Sequence, residues 1–123
     1  MAKILIIDDD VNTTWLIDNV FSKLGYEIRA VNNSIMAVSE AQVFQPDLVI
    51  VDLMMPGIDG IETCRALQND PQTQGIPVLV FSAVGDVNAK VEAFEAGARD
   101  FIPKPIHVEE LKIRIKTWLK NQG

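Results

Sequence analysis

Short apolar runs alternate with amphipathic segments along the whole chain. Apolar runs that are rich in β-branched residues and bounded by polar residues are typical of buried strands. Five such runs occur, at 3–7, 26–31, 48–51, 77–81 and 100–102. The segments that follow these runs predict five helices, at about 12–24, 34–44, 61–67, after Asp86 and at about 108–120. This strict alternation predicts an α/β fold, with a five-stranded parallel sheet that is doubly wound and has helices on both faces.

Capping residues and apolar stripes define the predicted helices more closely. Ser34 and Asp86 are candidate N-caps, while Gly25, Pro46 and Gly97 end helices. Apolar residues at helical spacing are expected to face the core. These stripes are Ile17, Val20, Phe21 and Leu24 in the first helix, Val87, Val91 and Phe94 in the fourth, and Val108, Leu111, Ile115 and Leu119 in the last.

Length and composition indicate one globular domain over residues 1–123, without an output domain. The 123 residues are 48% apolar and 23% charged, which is ordinary globular usage. The net charge of −6 argues against direct binding to nucleic acid or to an anionic membrane, and it suits a cation. A single cysteine, Cys64, excludes a disulfide framework. No leader or membrane span is recognisable, so we expect a cytoplasmic setting.

Polar residues stand at the carboxyl ends of four predicted strands. Asp8 and Asp9 follow the first strand, Asp52 the third, Ser82 the fourth and Lys104 the fifth. Ligands of such sheets bind outside the carboxyl ends of the strands, where the winding direction changes. Carboxylates brought together there repel each other, and a hard divalent cation such as Mg²⁺ would neutralise them. Lysine and serine suit phosphate, so the set has the parts for phosphoryl transfer.

The chain resembles the receiver domain of bacterial two-component response regulators, whose fold is flavodoxin-like. The resemblance covers essentially the whole chain and rests on four runs in order and spacing. These runs are ILIIDDD at 4–10, DLVIVDLMMPGIDG at 47–60, VFSA at 80–83 and GARDFIPKP at 97–105. It implies that Asp52 accepts a phosphoryl group from a histidine kinase or a phosphotransfer protein. Mg²⁺ or Mn²⁺ would be held by Asp8, Asp9, Asp52 and the backbone carbonyl of Met54, with Asp9 as a more direct ligand than Asp8.

The same resemblance assigns roles around the phosphoryl group. The Ser82 hydroxyl, the Ala83 backbone N–H and Lys104 would bind its oxygens, and Phe101 would be the aromatic switch residue. The Lys104–Pro105 peptide bond is expected to be cis. The signal would leave through the surface formed by the fourth helix, the fifth strand and the fifth helix. The signal would pass to a downstream protein or to a separate output domain, with a phosphorylation-linked dimer as a further possibility.

Three positions depart from the commonest pattern of the family. The switch residue Phe101 has no hydroxyl group, and Met54 and Val84 have no polar side chain near Asp52. Two apolar side chains cannot orient water for attack on the phosphoryl group. We therefore expect slow autodephosphorylation, and self-catalysed phosphotransfer in place of an enzymatic activity on other substrates.

Several residues have alternative interpretations. Asp10 is expected not to be a ligand, His107 to be exposed or part of a cap, and Ser82 could merely cap the next turn. Trp15 lies nearly opposite the inward stripe of its helix, so it either anchors a docking kinase or phosphotransfer protein or folds back over a neighbouring loop. Trp118 is expected at the edge of the core or in a dimer face.

Two other functions stay open from the sequence. A Mg²⁺-dependent phosphatase or phosphotransferase with an aspartyl nucleophile would use similar residues. That class typically has a second acid two residues after the nucleophile, where this chain has Met54. A non-phosphorylated interaction domain of the same fold would need none of the polar set.

Overall fold

Five strands and five α-helices alternate in the computed structural model, which describes residues 2–53, 60–83 and 85–120. The strands are β1 (Lys3–Ile7), β2 (Glu27–Val31), β3 (Leu48–Asp52), β4 (Val78–Ala83) and β5 (Asp100–Lys104). The helices are α1 (Val11–Lys23), α2 (Ala37–Phe44), α3 (Gly60–Asn69), α4 (Val87–Glu95) and α5 (Val108–Lys120), with a 3-10 turn at Ser34–Met36 before α2.

All five strands are parallel, in the order β2-β1-β3-β4-β5. The predicted doubly wound α/β fold is therefore confirmed. The chain passes from β1 outward to β2 and then crosses back to β3, so the winding direction changes between β1 and β3. The carboxyl ends of these two strands lie side by side, with Ile7 of β1 paired to Val51 of β3.

The sheet separates two apolar layers. Successive residues of a strand point to opposite faces, and β3 shows this directly: Leu48 and Ile50 join one cluster, while Val49 and Val51 join the other. The first cluster is covered by α1 and α5, and the second by α2, α3 and α4. Both faces are buried at the three central strands, which explains why β1, β3 and β4 are almost continuously apolar, whereas the edge strand β2 carries the exposed Glu27 and Arg29. Cys64 of α3 is buried in the second layer, as expected for a small core residue.

The predicted inward stripe of α4 is wrong. Val87, Val91 and Phe94 are between 47% and 63% exposed, and the buried residue of this helix is Ala93. Ala93 and the capping residue Ala96 pack into the cluster beneath the helix. Small side chains let the backbone of α4 lie close to the sheet, and the larger ones are left on the solvent side.

Two further predictions at helix ends need correction. Leu24 is not part of the inward stripe of α1: it is the C-cap residue and is exposed. The helical segment after β2 is capped by Asn33, whose side chain accepts a hydrogen bond from the Ile35 N–H at 2.9 Å, and not by Ser34. The predicted cap Asp86 is confirmed, since its carboxylate accepts from the Ala89 N–H at 3.0 Å. Within the described ranges, no helix is both long and apolar enough to cross a membrane.

Candidate functional site

The change in winding direction brings three carboxyl groups together at one edge of the sheet. Asp8 directly follows β1, Asp9 comes next, and Asp52 is the last residue of β3. One carboxylate oxygen from each of these residues lies within 4.8 Å of the others. Asp8 and Asp52 are buried, while Asp9 is exposed. The predicted acidic cluster is therefore present, with its open side at Asp9.

The turn after β1 is held by hydrogen bonds of its own residues. The Asp8 N–H extends the sheet by donating to the Val31 carbonyl at 3.0 Å, and the Asp10 N–H donates to Asp8 Oδ1 at 2.9 Å. The Asp10 carboxylate accepts from the Thr13 hydroxyl and the Asn12 N–H, both at 3.0 Å, and these bonds lower its pKa. Asp10 is thus the N-cap of α1, and it lies outside the group of three carboxylates.

Lys104 neutralises part of this negative charge from β5. Its Nζ lies 3.2 Å from Asp52 Oδ2 and 3.5 Å from Asp8 Oδ2. Burial alone would lower the pKa of Lys104, but the carboxylates of Asp8 and Asp52 outweigh that effect and raise it. The peptide bond that follows, Lys104–Pro105, is cis, in agreement with the expectation.

The acidic cluster is incompletely neutralised. Burial raises the pKa of the Asp8 carboxyl group to about 6, and the nearby charge of Asp52 adds to this shift. The hydrogen bond from the Asp10 N–H and the charge of Lys104 lower the pKa in part. One lysine thus faces three carboxylates. Carboxylate oxygens at an open edge are the ligands that Mg²⁺ prefers, so the donor set fits this cation. Met54, whose carbonyl was expected to be a fourth ligand, lies outside the described residues, as does Val84.

Ser82 and Ala83 form the end of β4 beside this cluster, and Ala83 is paired with Lys104 of β5. The buried Ser82 Oγ has no hydrogen-bond partner in the described part of the chain. Buried hydroxyl groups are normally bonded, so this oxygen fits a ligand with acceptor atoms. The alternative in which Ser82 caps the next turn is not supported, because its Oγ forms no hydrogen bond within the described residues.

The carboxyl end of β3 needs a glycine where α3 begins. A Cβ atom placed on Gly60 would lie 2.5 Å from the Asp52 carbonyl oxygen and 2.5 Å from the Leu53 Cα. Real Cβ atoms do not approach backbone atoms so closely, so only glycine allows α3 to start against the residue that follows Asp52. The backbone near Asp52 is therefore set partly by Gly60.

Phe101 lies on the side of β5 that faces α4. It is half-buried, with its ring edge-to-face with Phe94 at 5.9 Å between centroids. Lys90 Nζ of α4 lies 4.1 Å from the ring centroid. A cation over the ring face is favourable even without a hydroxyl group on the ring. The ring of Phe101 thus contacts α4 through Phe94 and Lys90.

The two tryptophans differ in their surroundings. Trp15 is 66% exposed and borders a groove of about 320 Å³ together with Asp18, Asn19, Ser22 and Lys23 of the same helix. Trp118 is half-buried at the edge of the core, as expected, and its Nε1–H donates to Asp100 Oδ2 at 3.0 Å. His107 is exposed just before α5.

Sequence reasoning missed two polar contacts, one between the start of β5 and α5 and one at the acidic site itself. Asp100 accepts hydrogen bonds from Arg114 at 2.6 Å and from Trp118, which ties β5 to α5. Asn32 directly follows β2, and its side chain reaches the backbone of Asp8. Asn32 carries the same signal as the other site residues, since it is a polar residue at the carboxyl end of a strand.

Comparison with known proteins identifies the family. The family model described as the response regulator receiver domain matches residues 4–116. This chain belongs to that family. A receiver domain is a signalling domain of two-component systems, so the predicted family and the general function are confirmed.

Individual relatives of this receiver domain agree with the assignment. It is 38% identical over 120 residues to the DNA-binding dual master transcriptional regulator RpaA of Synechocystis, covering 98% of this chain and 50% of that protein. The chain spans about half the length of the curated relatives that it matches. Among solved structures, a response regulator from Chloroflexus aurantiacus is 36% identical, with a TM-score of 0.90 over 97% of this chain and 98% of that one. The chemotaxis protein CheY4 of Vibrio cholerae is 26% identical, with a TM-score of 0.90 over 95% of this chain and 98% of that one.

Proposed function

We propose that this receiver domain is a phosphorylation-activated switch in which Asp52 accepts the phosphoryl group. The observation that carries the proposal is the buried Asp52 carboxylate at the sheet edge, within 4.8 Å of two other carboxylates and 3.2 Å from the Lys104 ammonium group. Asp8, Asp9 and Asp52 would hold Mg²⁺ or Mn²⁺, and the Met54 carbonyl completes the proposed set. The bound cation would neutralise negative charge on the carboxylates and on the incoming phosphoryl group.

The transfer reaction uses Asp52 as a nucleophile. An oxygen of its carboxylate bonds to phosphorus, and the bond between phosphorus and the donor breaks. With a histidine kinase or a phosphotransfer protein as donor, the electron pair of the broken P–N bond stays on the imidazole nitrogen, which takes up a proton. The product is an acyl phosphate on Asp52. The protein contributes mainly position and charge to such a reaction.

Three groups would bind the new phosphoryl oxygens. Lys104 already contacts Asp52 through its ammonium group. The Ser82 hydroxyl is buried without a partner in the described part of the chain, and the Ala83 N–H follows it at the end of β4. Charge-assisted hydrogen bonds to phosphate are about twice as strong as neutral ones. Engagement of these groups would draw the end of β4 toward the phosphoryl group.

The proposed output surface is formed by α4, β5 and α5. Phe101 of β5 contacts Phe94 and Lys90 of α4, so a shift of its ring would be felt by that helix. The outer side of α4 exposes Val87, Val91 and Phe94, which suits a protein partner. Phosphorylation would shift the population between two packings of this surface. The partner would be a downstream protein, a separate output domain or a second receiver domain in a phosphorylation-linked dimer.

Further parts of the proposal concern the molecule as a whole. We assign residues 1–123 to a single receiver domain that works in the cytoplasm and turns over only its own phosphoryl group. RpaA is described as DNA-binding. For this chain, a net charge of −6 favours output through a protein over direct contact with nucleic acid.

The deciding experiment is phosphorylation by acetyl phosphate with and without Mg²⁺, followed by intact-mass spectrometry. We expect one phosphoryl group per wild-type chain with Mg²⁺ and none after chelation. Asp52→Asn should abolish the adduct, because an amide oxygen is not a competent nucleophile. Asp47→Asn is the matched control: Asp47 is an exposed acid five positions earlier, bonded to the Lys3 N–H, and its loss should leave the adduct intact.

Other results of this experiment would support one of the two alternative functions, or would refute Asp52 as the acceptor. Continuous release of phosphate without an accumulating adduct would support the aspartyl phosphatase. Neither adduct nor turnover would support an interaction domain that is not phosphorylated. An adduct of unchanged yield in Asp52→Asn would refute Asp52 as the acceptor.

A further inference from the structure

Asn32 connects the end of β2 to the turn that carries the acidic pair. Its Nδ2 donates one hydrogen bond to the Asp8 carbonyl oxygen at 2.7 Å and another to Thr14 Oγ1 at 3.1 Å. The Thr14 hydroxyl in turn donates to the Val11 carbonyl in the first turn of α1 at 3.2 Å, so its oxygen is available as an acceptor for Asn32. A single amide group thus joins the ends of β1 and β2 to the start of α1.

These bonds complete the fixation of the backbone around Asp8. The Asp8 N–H is bonded to the Val31 carbonyl, and the Asp10 N–H is bonded to Asp8 Oδ1. Asn32 binds the remaining backbone group of Asp8, its carbonyl. The peptide bond is planar, so holding this carbonyl also fixes the orientation of the Asp9 N–H and the position of the Asp9 Cα. On the other side of Asp9, the bond from the Asp10 N–H to Asp8 Oδ1 restrains the backbone, so the two bonds together orient the Asp9 side chain.

In contrast to its backbone, the Asp9 side chain is not held by other residues in the described ranges. It is exposed, and its carboxylate forms no hydrogen bond or ion pair with any residue in the described ranges. The backbone at Asp9 is therefore restrained while its carboxylate stays available. This combination is what a ligand residue needs, because a fixed backbone lowers the entropy that is lost when the carboxylate binds a cation.

We propose that Asn32 is a positioning residue of the divalent-cation site, which orients Asp9 by holding the Asp8 carbonyl against α1. The proposal rests on the proposed cation site and deepens it. Asn32 does not contact the cation. Groups that orient metal ligands from outside the coordination shell typically change metal affinity by 10–100-fold.

The test is calorimetric titration of the metal-free full-length chain with MgCl₂. Asn32→Ala should raise the dissociation constant for Mg²⁺ by roughly tenfold. Asn33→Ala is the matched control: the neighbouring exposed asparagine caps the 3-10 turn by accepting from the Ile35 N–H, so its loss should leave the dissociation constant unchanged. Urea unfolding without Mg²⁺ measures the stability of each variant separately, so loss of affinity can be distinguished from loss of folding.

A second variant covers the case in which Asn32→Ala does not fold. Asn32→Leu has a similar size, no donor and no charge, and should weaken Mg²⁺ binding to a similar degree. Wild-type affinity in the folded Asn32 variants would overturn the positioning role and leave the proposed function intact. Equal weakening by Asn33→Ala would also overturn it, since any loosening near β2 would then suffice. A wild-type chain that binds no Mg²⁺ would refute the cation site on which both proposals depend.

Discussion

Asp8 is the residue at which burial and charge conflict most strongly. Burial raises its pKa from 3.8 to about 6, and Asp52 contributes to the shift. Between these two pH values, the folded chain therefore holds a proton that the unfolded chain has released. Stability falls with rising pH wherever the folded state binds more protons. Without a cation, this carboxyl group should thus stabilise the fold below pH 3.8 and lose that contribution as the pH rises through about 6.

We predict that the contribution of Asp8 to the free energy of unfolding without Mg²⁺ decreases as the pH is raised from 3.8 to about 6. The contribution of Asp8 is about 3 kcal/mol at most, since one pKa unit corresponds to about 1.4 kcal/mol. Asp8→Asn removes the titrating group and should make the profile flatter. Saturating Mg²⁺ should stabilise the wild type most above the pKa, where the carboxylate is ionised.

Urea unfolding over this pH range, with and without Mg²⁺, measures these effects. Asp47→Asn, which removes an exposed acid outside the acidic cluster, is the control for the loss of one negative charge. A profile in Asp8→Asn that is as steep as in the wild type would contradict the assignment of the pH dependence to Asp8.

The residue types at the strand ends could be predicted, but the contacts that they form could not. Asp8, Asp52 and Lys104 were recognisable because each ends or directly follows an apolar run, and a parallel sheet brings such positions together. The contact of Asn32 with the Asp8 carbonyl depends on the register between β1 and β2, in which Ile7 pairs with Val31. The pattern of apolar residues does not contain that register.

At the scale of elements, α4 shows where periodicity misleads. The spacing of Val87, Val91 and Phe94 identifies one side of a helix correctly, but spacing alone does not say whether that side faces the sheet. The buried side carries Ala93, which is small enough for close packing. The helix is thus placed by its small residues, and the exposed apolar stripe is free for the proposed output surface.

We predict opposite responses from the two sides of α4. Val91→Ser should change the free energy of unfolding by less than about 0.5 kcal/mol, because this side chain is half exposed. Ala93→Leu should destabilise the fold by about 1–3 kcal/mol, because extra methylene groups would be forced into a packed layer. Urea unfolding compares the two variants, and a larger loss from Val91→Ser than from Ala93→Leu would show that the stripe is buried in solution.

For the whole molecule, the alternation of strands and helices predicted the fold class, but it did not predict the order of the strands in the sheet. The apolar pattern does not say that β3 lies between β1 and β4, because the neighbour of a strand depends on the direction of each crossover. That order decides which strand ends meet, and it places Asp8 beside Asp52. The resemblance to the receiver family supplied this part of the expectation. The start of the helical segment after β2 was predicted at Ser34, but the structure caps it with the neighbouring Asn33, because both residue types can cap a helix.

The helices α1 and α2 lie on opposite faces of the sheet, and each exposes a large apolar side chain. This arrangement allows a test of partner docking. Trp15 lies on α1, over one face of the sheet, and is 66% exposed beside the groove that it forms with its own helix. The alternative in which it folds back over a neighbouring loop would bury it, and the structure does not show that. Val43 of α2 is 78% exposed on the opposite face. An exposed tryptophan about one turn from the acidic pair is a candidate anchor for the proposed phosphoryl donor, because tryptophan is enriched among residues that dominate binding.

We predict that Trp15→Ala slows phosphoryl transfer from a histidine kinase by roughly tenfold, which corresponds to a loss of about 1.4 kcal/mol. The kinase is chosen from a purified panel as the one that labels the wild type fastest. Labelling by acetyl phosphate should keep its wild-type rate, because a small donor needs no docking surface. Val43→Ala removes exposed apolar area from the other face and should leave both rates unchanged. Equal losses from both donors would place the effect of Trp15 at the acidic site itself, whereas loss with the kinase alone requires that the kinase contacts α1.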